Sequence, residues 1–211
     1  MARTIFLSAG HATVPRVAGT RANGFKEEEL TLELRDLVVP KLRAYGLTVK
    51  TDGAHGISAT LSDAISIGRK FDIHVELHFN AGSKTSSGPF SLGTLSRKRF
   101  GVDLAKAVAK ATGLPLHHNG WNSDTLSQHG YLAFCRQGGR GVVLEVCQQS
   151  NMEDMRVYLE KKNEVAQAIA DMLRHYAESP SRVYDDHLPD EPPVRRVKTK
   201  KTSARKRVGR R

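Results

Sequence analysis

The sequence predicts an α/β fold: one domain with a mostly parallel or mixed, twisted β-sheet of about six strands, covered by helices on both faces. Short apolar runs typical of buried strands alternate along the chain with longer segments of helical periodicity. The length of 211 residues, 39% of them hydrophobic, suits a single domain with an ordinary core. A basic C-terminal tail follows this predicted domain.

Three strands and two helices are predicted in the first half of the chain. Residues 4–8 form a short apolar run, and residues 27–45 carry leucines and valines at helical spacing behind an acidic first turn. A second strand follows at 47–51, a short helix at 60–70, and a third strand at 73–77. This alternation indicates parallel pairing through helical connections.

The second half repeats the alternation. Residues 99–112 are amphipathic, and Gly113 is placed to end that helix. Residues 131–135 and 141–147 are apolar enough to be two further strands, and residues 152–176 predict a long final helix. In such sheets, binding sites collect at the carboxyl ends of the strands.

The charge of the chain is concentrated at its C-terminus. From Val194 onward ten basic residues and no acid occur, so this segment supplies +10 of the formal charge of +11. A stretch rich in proline and charge precedes it. We therefore divide the chain into a globular domain, 1–178, and a linker with a basic tail, 179–211, with disorder expected from about residue 180.

The sequence also carries expectations about compartment. No apolar run approaches the ~20 residues of a membrane-spanning helix, and the N-terminus does not read as a secretory signal. We expect synthesis in the cytoplasm.

Cys135 and Cys147 are too few for a disulfide framework and lie in apolar stretches, so both are predicted to be buried thiols.

Four residues lie where a predicted strand gives way to a turn or helix: His11, Glu27, His78 and Glu145. Two imidazoles and one carboxylate can hold a zinc ion with its fourth position free for water, and a second carboxylate can handle protons. Taken singly, each histidine also fits a loop role, and Glu27 fits a helix N-terminus. Glu145 interrupts an apolar strand, where a carboxylate needs a partner.

Alternation along the third strand adds a further pattern. His74, Glu76 and His78 share one face, and the apolar residues between them share the other. The polar face could be solvated or partly satisfied by neighbouring groups. His117 and His118 fall in a predicted loop, and the sequence leaves open whether they contact a substrate.

Several short motifs occur in a fixed order along the chain. They are Ser8-Ala9-Gly10-His11, then Asn23 to Leu32, then Leu77-His78-Phe79-Asn80-Ala81, then Val143-Leu144-Glu145-Val146, then Ser150-Asn151 followed by Asp154. As a set they resemble the zinc-dependent N-acetylmuramoyl-L-alanine amidases, which include spore, division and phage enzymes. The resemblance runs from about residue 3 to 176.

The resemblance implies that His11, Glu27 and His78 bind zinc and that Glu145 is the catalytic acid, with Glu28 as the alternative to Glu27. Zinc in such a site makes water acidic, and Glu145 would pass its proton to the leaving amine. Three residues are predicted to contact substrate: Asn80, His129 and Asn151. For Asn80 and Asn151 the first interpretation is a turn or orienting role.

The implied function is a peptidoglycan hydrolase that cleaves the amide between N-acetylmuramic acid and L-alanine during phage-induced lysis. The enzyme would be a monomer acting on the host wall in the periplasm after release. Its basic tail would contact anionic envelope polymers or a membrane surface. Two alternatives stay open: a zinc peptidase acting on the stem peptide, and a non-enzymatic nucleic-acid-binding protein that uses the tail.

Overall fold

A six-stranded mixed sheet forms the centre of the protein, whose computed structural model describes residues 2–13, 17–124, 132–136 and 141–179. The strands, in chain order, are β1 (Ile5–Ala9), β2 (Arg21–Ala22), β3 (Phe25–Lys26), β4 (Val49–Thr51), β5 (Ile73–Asn80), β6 (Phe90–Gly93), β7 (Trp121–Ser123) and β8 (Gly141–Gln148). The sheet order is β4-β1-β5-β8-β6-β7, and β2 pairs with β3 in a separate hairpin. The predicted α/β class and strand number are confirmed.

Parallel pairing dominates the sheet. β4, β1, β5 and β8 run parallel to one another, whereas β6 is antiparallel to β8 and parallel to β7. The carboxyl ends of β1, β5 and β8 therefore lie side by side at one edge. Residues that follow these three strands are brought together there.

The helices of the described chain are α1 (Glu27–Ala44), α2 (Leu61–Gly68), α3 (Lys98–Thr112), α4 (Ala133–Arg136) and α5 (Met152–Glu178). Four of them were predicted within a few residues of their observed ends. Gly113 ends α3 in the left-handed conformation, with φ of 80°, as its position predicts.

One predicted element is wrong. The strand predicted at 131–135 is the short helix α4, and Tyr131 lies outside the described residues. Phe134 and Cys135 are buried against the sheet, so the apolar run reflects burial and not extended backbone. A five-residue apolar run does not distinguish a strand from a buried helical turn.

Helices cover both faces of the sheet. On one face α1, α3 and α5 pack over residues such as Leu7, Val75 and Leu144 in the larger core. On the other face α2 and α4 cover a smaller cluster that includes Phe6 and Val143. The polar side chains of β5 and β8 lie on this second face.

Three further predictions concern the cysteines, membrane-spanning helices and the C-terminal tail. Cys135 and Cys147 are buried free thiols, as predicted, and burial raises the pKa of both. In the part of the chain described, no helix is both long and apolar enough to cross a membrane. The predicted linker and disordered basic tail lie outside the described residues from position 180 onward, so the domain boundary stays a prediction.

Candidate active site

His11, Glu27 and His78 meet at the carboxyl edge of the sheet. His11 follows β1, His78 lies near the end of β5, and Glu27 opens α1. Glu27 contacts both rings: its Oε2 lies 3.1 Å from His11 Nε2, and its Oε1 lies 2.9 Å from His78 Nδ1. The two imidazole centroids are 5.1 Å apart. The structure thus brings together the three predicted metal ligands.

A hairpin before α1 determines where Glu27 lies. Asn23 and Gly24 both have positive φ, 53° and 81°, which is typical of the tight turn between short strands such as β2 and β3. Asn23 donates a hydrogen bond to the carbonyl of Gln149, 2.9 Å away, which ties the hairpin to the end of β8. The Thr20 N–H then donates to Glu27 Oε2 at 2.9 Å. Glu27 is therefore held by backbone as well as by the histidines.

Two glycines allow this close approach. A Cβ at Gly10 would lie 2.4 Å from His78 Nε2, and a Cβ at Gly19 would lie 2.6 Å from the His11 ring. Both positions lack space for any side chain, because a Cβ that close would displace the ring. The histidines pack directly on main chain, and their orientation depends on it.

The electrostatics of Glu27 and His78 are coupled. Burial alone would raise the pKa of Glu27, but hydrogen bonds with His11 and His78 outweigh it and hold the pKa below its ordinary value. Burial would likewise lower the pKa of His78, whereas its hydrogen bonds with Glu27 and Glu76 raise it above the ordinary value. Without a metal the cluster therefore favours a negative Glu27 carboxylate paired with a protonated His78 ring. A cation bound there would take the place of the proton on the imidazole, because a ligating histidine is neutral.

The donor set fits a divalent metal. One ligand atom each from His11, Glu27 and His78 lie within 4.8 Å of one another. Two imidazole nitrogens and one carboxylate oxygen are a ligand set that zinc prefers in catalytic sites, where a fourth position stays open. All three side chains are largely buried, with exposed fractions of 25% or less, so a cation held there would be partly shielded from water.

Glu145 lies beside this cluster. In the sheet it pairs with His78 on one side and with Phe90 on the other, so the three side chains share a face. Its Oε2 is buried and has no hydrogen-bond partner among the described residues. Burial raises the pKa of Glu145 to about 7; the positive charge of His78 opposes the rise, and the negative charges of Glu27 and Glu76 add to it. A carboxyl group in this state can take up and release a proton near neutral pH.

The N-acetylmuramoyl-L-alanine amidase family profile, Amidase_3, matches residues 5–175 of the chain, which contain all four of these residues. The chain belongs to this amidase family.

Solved structures of amidases resemble the protein closely. A structure from Neisseria meningitidis assigned as an N-acetylmuramoyl-L-alanine amidase shares 37% identity, covers 81% of this chain and 93% of its own, and superposes with a TM-score of 0.72. The catalytic domain of CwlV, an N-acetylmuramoyl-L-alanine amidase from Bacillus (Paenibacillus) polymyxa var. colistinus, shares 23% identity over 83% of this chain and 98% of its own, with a TM-score of 0.71. No curated protein sequence matches the chain.

Membership of the amidase family identifies peptidoglycan as the substrate class and amide hydrolysis as the reaction. Glu28, the alternative to Glu27, is not part of the three-ligand cluster and has other partners. Its carboxylate accepts a hydrogen bond from the Gly19 N–H at 3.2 Å and pairs with Arg21. The ligand role of Glu27 stays a prediction that the geometry favours over Glu28.

The predicted substrate-contacting residues occupy different settings. Asn80 donates to the Gln148 side chain at 2.8 Å, next to the site, which agrees with an orienting residue. Asn151 caps α5, and its side chain accepts from the N–H groups of Glu153 and Asp154. His129 lies outside the described residues. Contact of any of them with substrate remains a prediction.

Sequence reasoning overlooked two features of this face. Glu76, placed on a solvated or partly satisfied stripe, is in fact buried and lies 3.2 Å from His78 Nε2. The rings of His117 and His118 pack against Phe90, with ring centroids 5.2 and 5.3 Å from the centroid of the Phe90 ring. The alternation in β5 already placed Glu76 with His78, but the position of Phe90 depended on a strand that the sequence did not reveal.

Proposed function

We propose that the protein is a zinc-dependent amidase that cleaves the bond between the lactyl group of N-acetylmuramic acid and L-alanine in peptidoglycan. His11, Glu27 and His78 would hold the zinc ion. The observation that carries the proposal is the juxtaposition of this three-ligand cluster with Glu145, a buried carboxyl group with an unpartnered oxygen.

Bound zinc would polarise the substrate carbonyl and make water more acidic. Glu145 would accept the proton of the attacking water and deliver it to the nitrogen of the leaving L-alanine as the C–N bond breaks. The products are a lactyl carboxylate and a free peptide amine, so the reaction consumes one water. In the metal-free protein burial raises the pKa of Glu145 to about 7, and a nearby cation would oppose that rise, so the group can hold a proton or release it in the range where the reaction runs.

Substitution of Glu145 tests this assignment. Glu145→Ala should retain zinc, measured by metal analysis, and should lower the rate of lysis of purified walls by about 10²–10⁴-fold. Glu27→Ala should lose both zinc and lysis. Glu29→Ala is the matched control, because Glu29 is an exposed acid on the same helical turn, and it should change neither. Full activity in Glu145→Ala would refute the proposed role.

The bond specificity needs a separate measurement. Mass spectrometry of digested walls should show free N-terminal L-alanine on intact stem peptides, together with glycan strands that have lost them. Fragments cut within the stem peptide would instead establish the peptidase alternative. Metal chelation before digestion should abolish release of either product, and added zinc should restore it.

We further propose that the enzyme is a monomer that serves phage-induced lysis and acts on the host wall from the periplasm. The ten cationic side chains beyond Val194 support delivery to anionic envelope polymers or membrane surfaces. Truncation after Pro180 should leave lysis of purified walls unchanged and weaken binding to anionic vesicles. A full-length chain that lyses no purified walls, and whose nucleic-acid binding is lost in that truncation, would instead favour the non-enzymatic nucleic-acid-binding alternative.

A further inference from the structure

Glu76 is a carboxylate buried in the interior of β5. Its exposed fraction is 6%, and it lies two residues before His78 on the same face of the strand. Burial of a carboxylate carries a large desolvation cost unless strong partners meet it. The partner that the structure provides is His78, whose Nε2 lies 3.2 Å from Glu76 Oε2. Glu76 itself has no role in the proposed chemistry.

The two nitrogens of His78 face different surroundings. Nδ1 faces Glu27 Oε1 at 2.9 Å, inside the three-ligand cluster. Nε2 faces Glu76 and packs against the backbone of Gly10, where even a Cβ would be 2.4 Å away. The ring is therefore confined by main chain, and each nitrogen has its own carboxylate.

A neutral imidazole carries one proton, and the hydrogen bond at one nitrogen decides which of the two holds it. Either carboxylate can accept a proton from the ring. A cation held by the cluster would occupy Glu27 and the Nδ1 lone pair, which leaves Glu76 as the acceptor for the remaining proton on Nε2. Carboxylates placed behind a ligating histidine orient the ring and increase its basicity. We propose that Glu76 is a positioning residue that holds His78 with Nδ1 directed at the metal position.

This inference rests on the proposed metal role of His78. A purely structural role for Glu76 would predict a different result. If the pair only satisfied two buried polar groups, then replacing Glu76 with leucine would change the stability of the fold and leave metal affinity alone. Replacement of buried ionic groups by apolar ones of similar volume is often neutral or stabilising. Metal affinity therefore separates the two roles better than stability does.

The test compares Glu76→Leu and Glu76→Gln with the parent full-length chain. Zinc affinity is measured by competition with a chromogenic chelator, and the unfolding temperature is recorded on the same samples. Glu76→Leu should bind zinc about 10–100-fold more weakly. Glu76→Gln should lose less, because its amide oxygen can still accept from Nε2–H. His74→Leu is the matched control: His74 is buried on the same face two residues earlier and lies outside the three-ligand cluster, so zinc affinity should stay within about twofold.

A second readout reports the proton directly. Long-range ¹H–¹⁵N spectra of the zinc-loaded parent should show His78 protonated at Nε2, and Glu76→Leu should weaken or shift that signal. Zinc affinity in Glu76→Leu equal to that of His74→Leu, or a spectrum showing His78 protonated at Nδ1, would overturn the inference. A parent chain that binds no zinc at all would instead refute the proposed function, so the two failures are distinguishable.

Discussion

Glu145 and Asp154 are both buried carboxylates near the carboxyl end of β8, yet their surroundings are opposite. Asp154 is fully buried and accepts three hydrogen bonds: from Ser87 Oγ at 2.6 Å, from the Gly88 N–H at 2.8 Å and from the Gln148 N–H at 2.9 Å. Glu145 has a buried Oε2 with no hydrogen-bond partner among the described residues. Both carboxylates are buried, but only Glu145 has a buried oxygen that lacks a hydrogen-bond partner within the part of the chain described.

The difference separates a structural carboxylate from one that is available for the proposed proton transfer. Buried polar atoms are nearly always hydrogen-bonded, so an unsatisfied oxygen beside a group of candidate metal ligands indicates a group kept available for a ligand or proton. Asp154 connects α5 to the loop before β6 and thereby positions that strand. Glu145 instead faces the cluster of His11, Glu27 and His78, and its raised pKa shows what its burial costs.

The largest expected effect on stability is at Asp154. Asp154→Ala leaves a hydroxyl and two N–H groups without their acceptor, and it should lower the free energy of unfolding by about 3 kcal/mol or more. Urea unfolding at 25 °C measures the loss. Asp154→Asn, which keeps one acceptor oxygen, should show a smaller loss and provides a folded sample if the alanine variant does not fold.

Glu160→Ala is the control for Asp154, since Glu160 is exposed on the same helix and pairs only at the surface with Arg156. Its removal should change the free energy of unfolding by no more than about 0.5 kcal/mol. If Asp154→Ala were no more destabilising than this control, the structural assignment of Asp154 would be wrong.

Removing the charge of Glu145 should have the opposite effect, an increase in the free energy of unfolding. Its folded-state pKa of about 7 exceeds the ordinary value of 4.5, so the folded state holds the proton more tightly than the unfolded chain does. The free energy of unfolding therefore falls as pH rises from about 4.5 to about 7. In zinc-depleted protein, Glu145→Gln should increase the free energy of unfolding at pH 8 by about 1–3 kcal/mol.

Thermal or urea unfolding of parent and Glu145→Gln across pH 4 to 8 tests this prediction. The two curves should converge as pH falls below about 4.5, where the parent carboxyl becomes protonated in the unfolded as well as the folded state. A stabilisation that is the same at all pH values would show that volume or polarity, and not the charge of Glu145, is responsible.

The sequence could predict that His11 and His78 lie close together, because both occur at the ends of predicted strands and parallel strands share a carboxyl edge. The assignment of His11, Glu27 and His78 as metal ligands came from the family resemblance and stays a prediction. The choice of Glu27 over Glu28 could not be made this way. It depends on the hairpin at Asn23, whose positive φ rotates the first turn of α1 into place.

Short or mixed elements limited the remaining predictions. β6 and β7 were missed because four and three residues are too few to establish a period. The apolar run at 131–135 predicts a strand, but apolar residues indicate burial and do not by themselves determine the backbone conformation. For Glu76 the alternation identified the correct face, but whether a polar face is solvated or buried depends on the helices that cover it.

The smallest predicted effect concerns Asn151, which lies at the start of the helix that carries Asp154. Its Oδ1 accepts hydrogen bonds from the Glu153 N–H at 2.9 Å and the Asp154 N–H at 3.3 Å, and its Nδ2 donates to the Ser86 carbonyl at 2.9 Å. Asn151→Ala should lower the free energy of unfolding by about 1 kcal/mol, with kcat and KM on a soluble muropeptide nearly unchanged.

Asn151→Ser sharpens the result, because serine also caps helices and should recover most of the lost stability. An increase in KM that serine does not reverse, at unchanged stability, would restore Asn151 as a substrate contact. The expected pattern instead makes Asn151 part of the structural side of the comparison. It orients Asp154, Asp154 holds the end of β8 and the loop before β6, and those strands place Glu145 and Phe90 side by side.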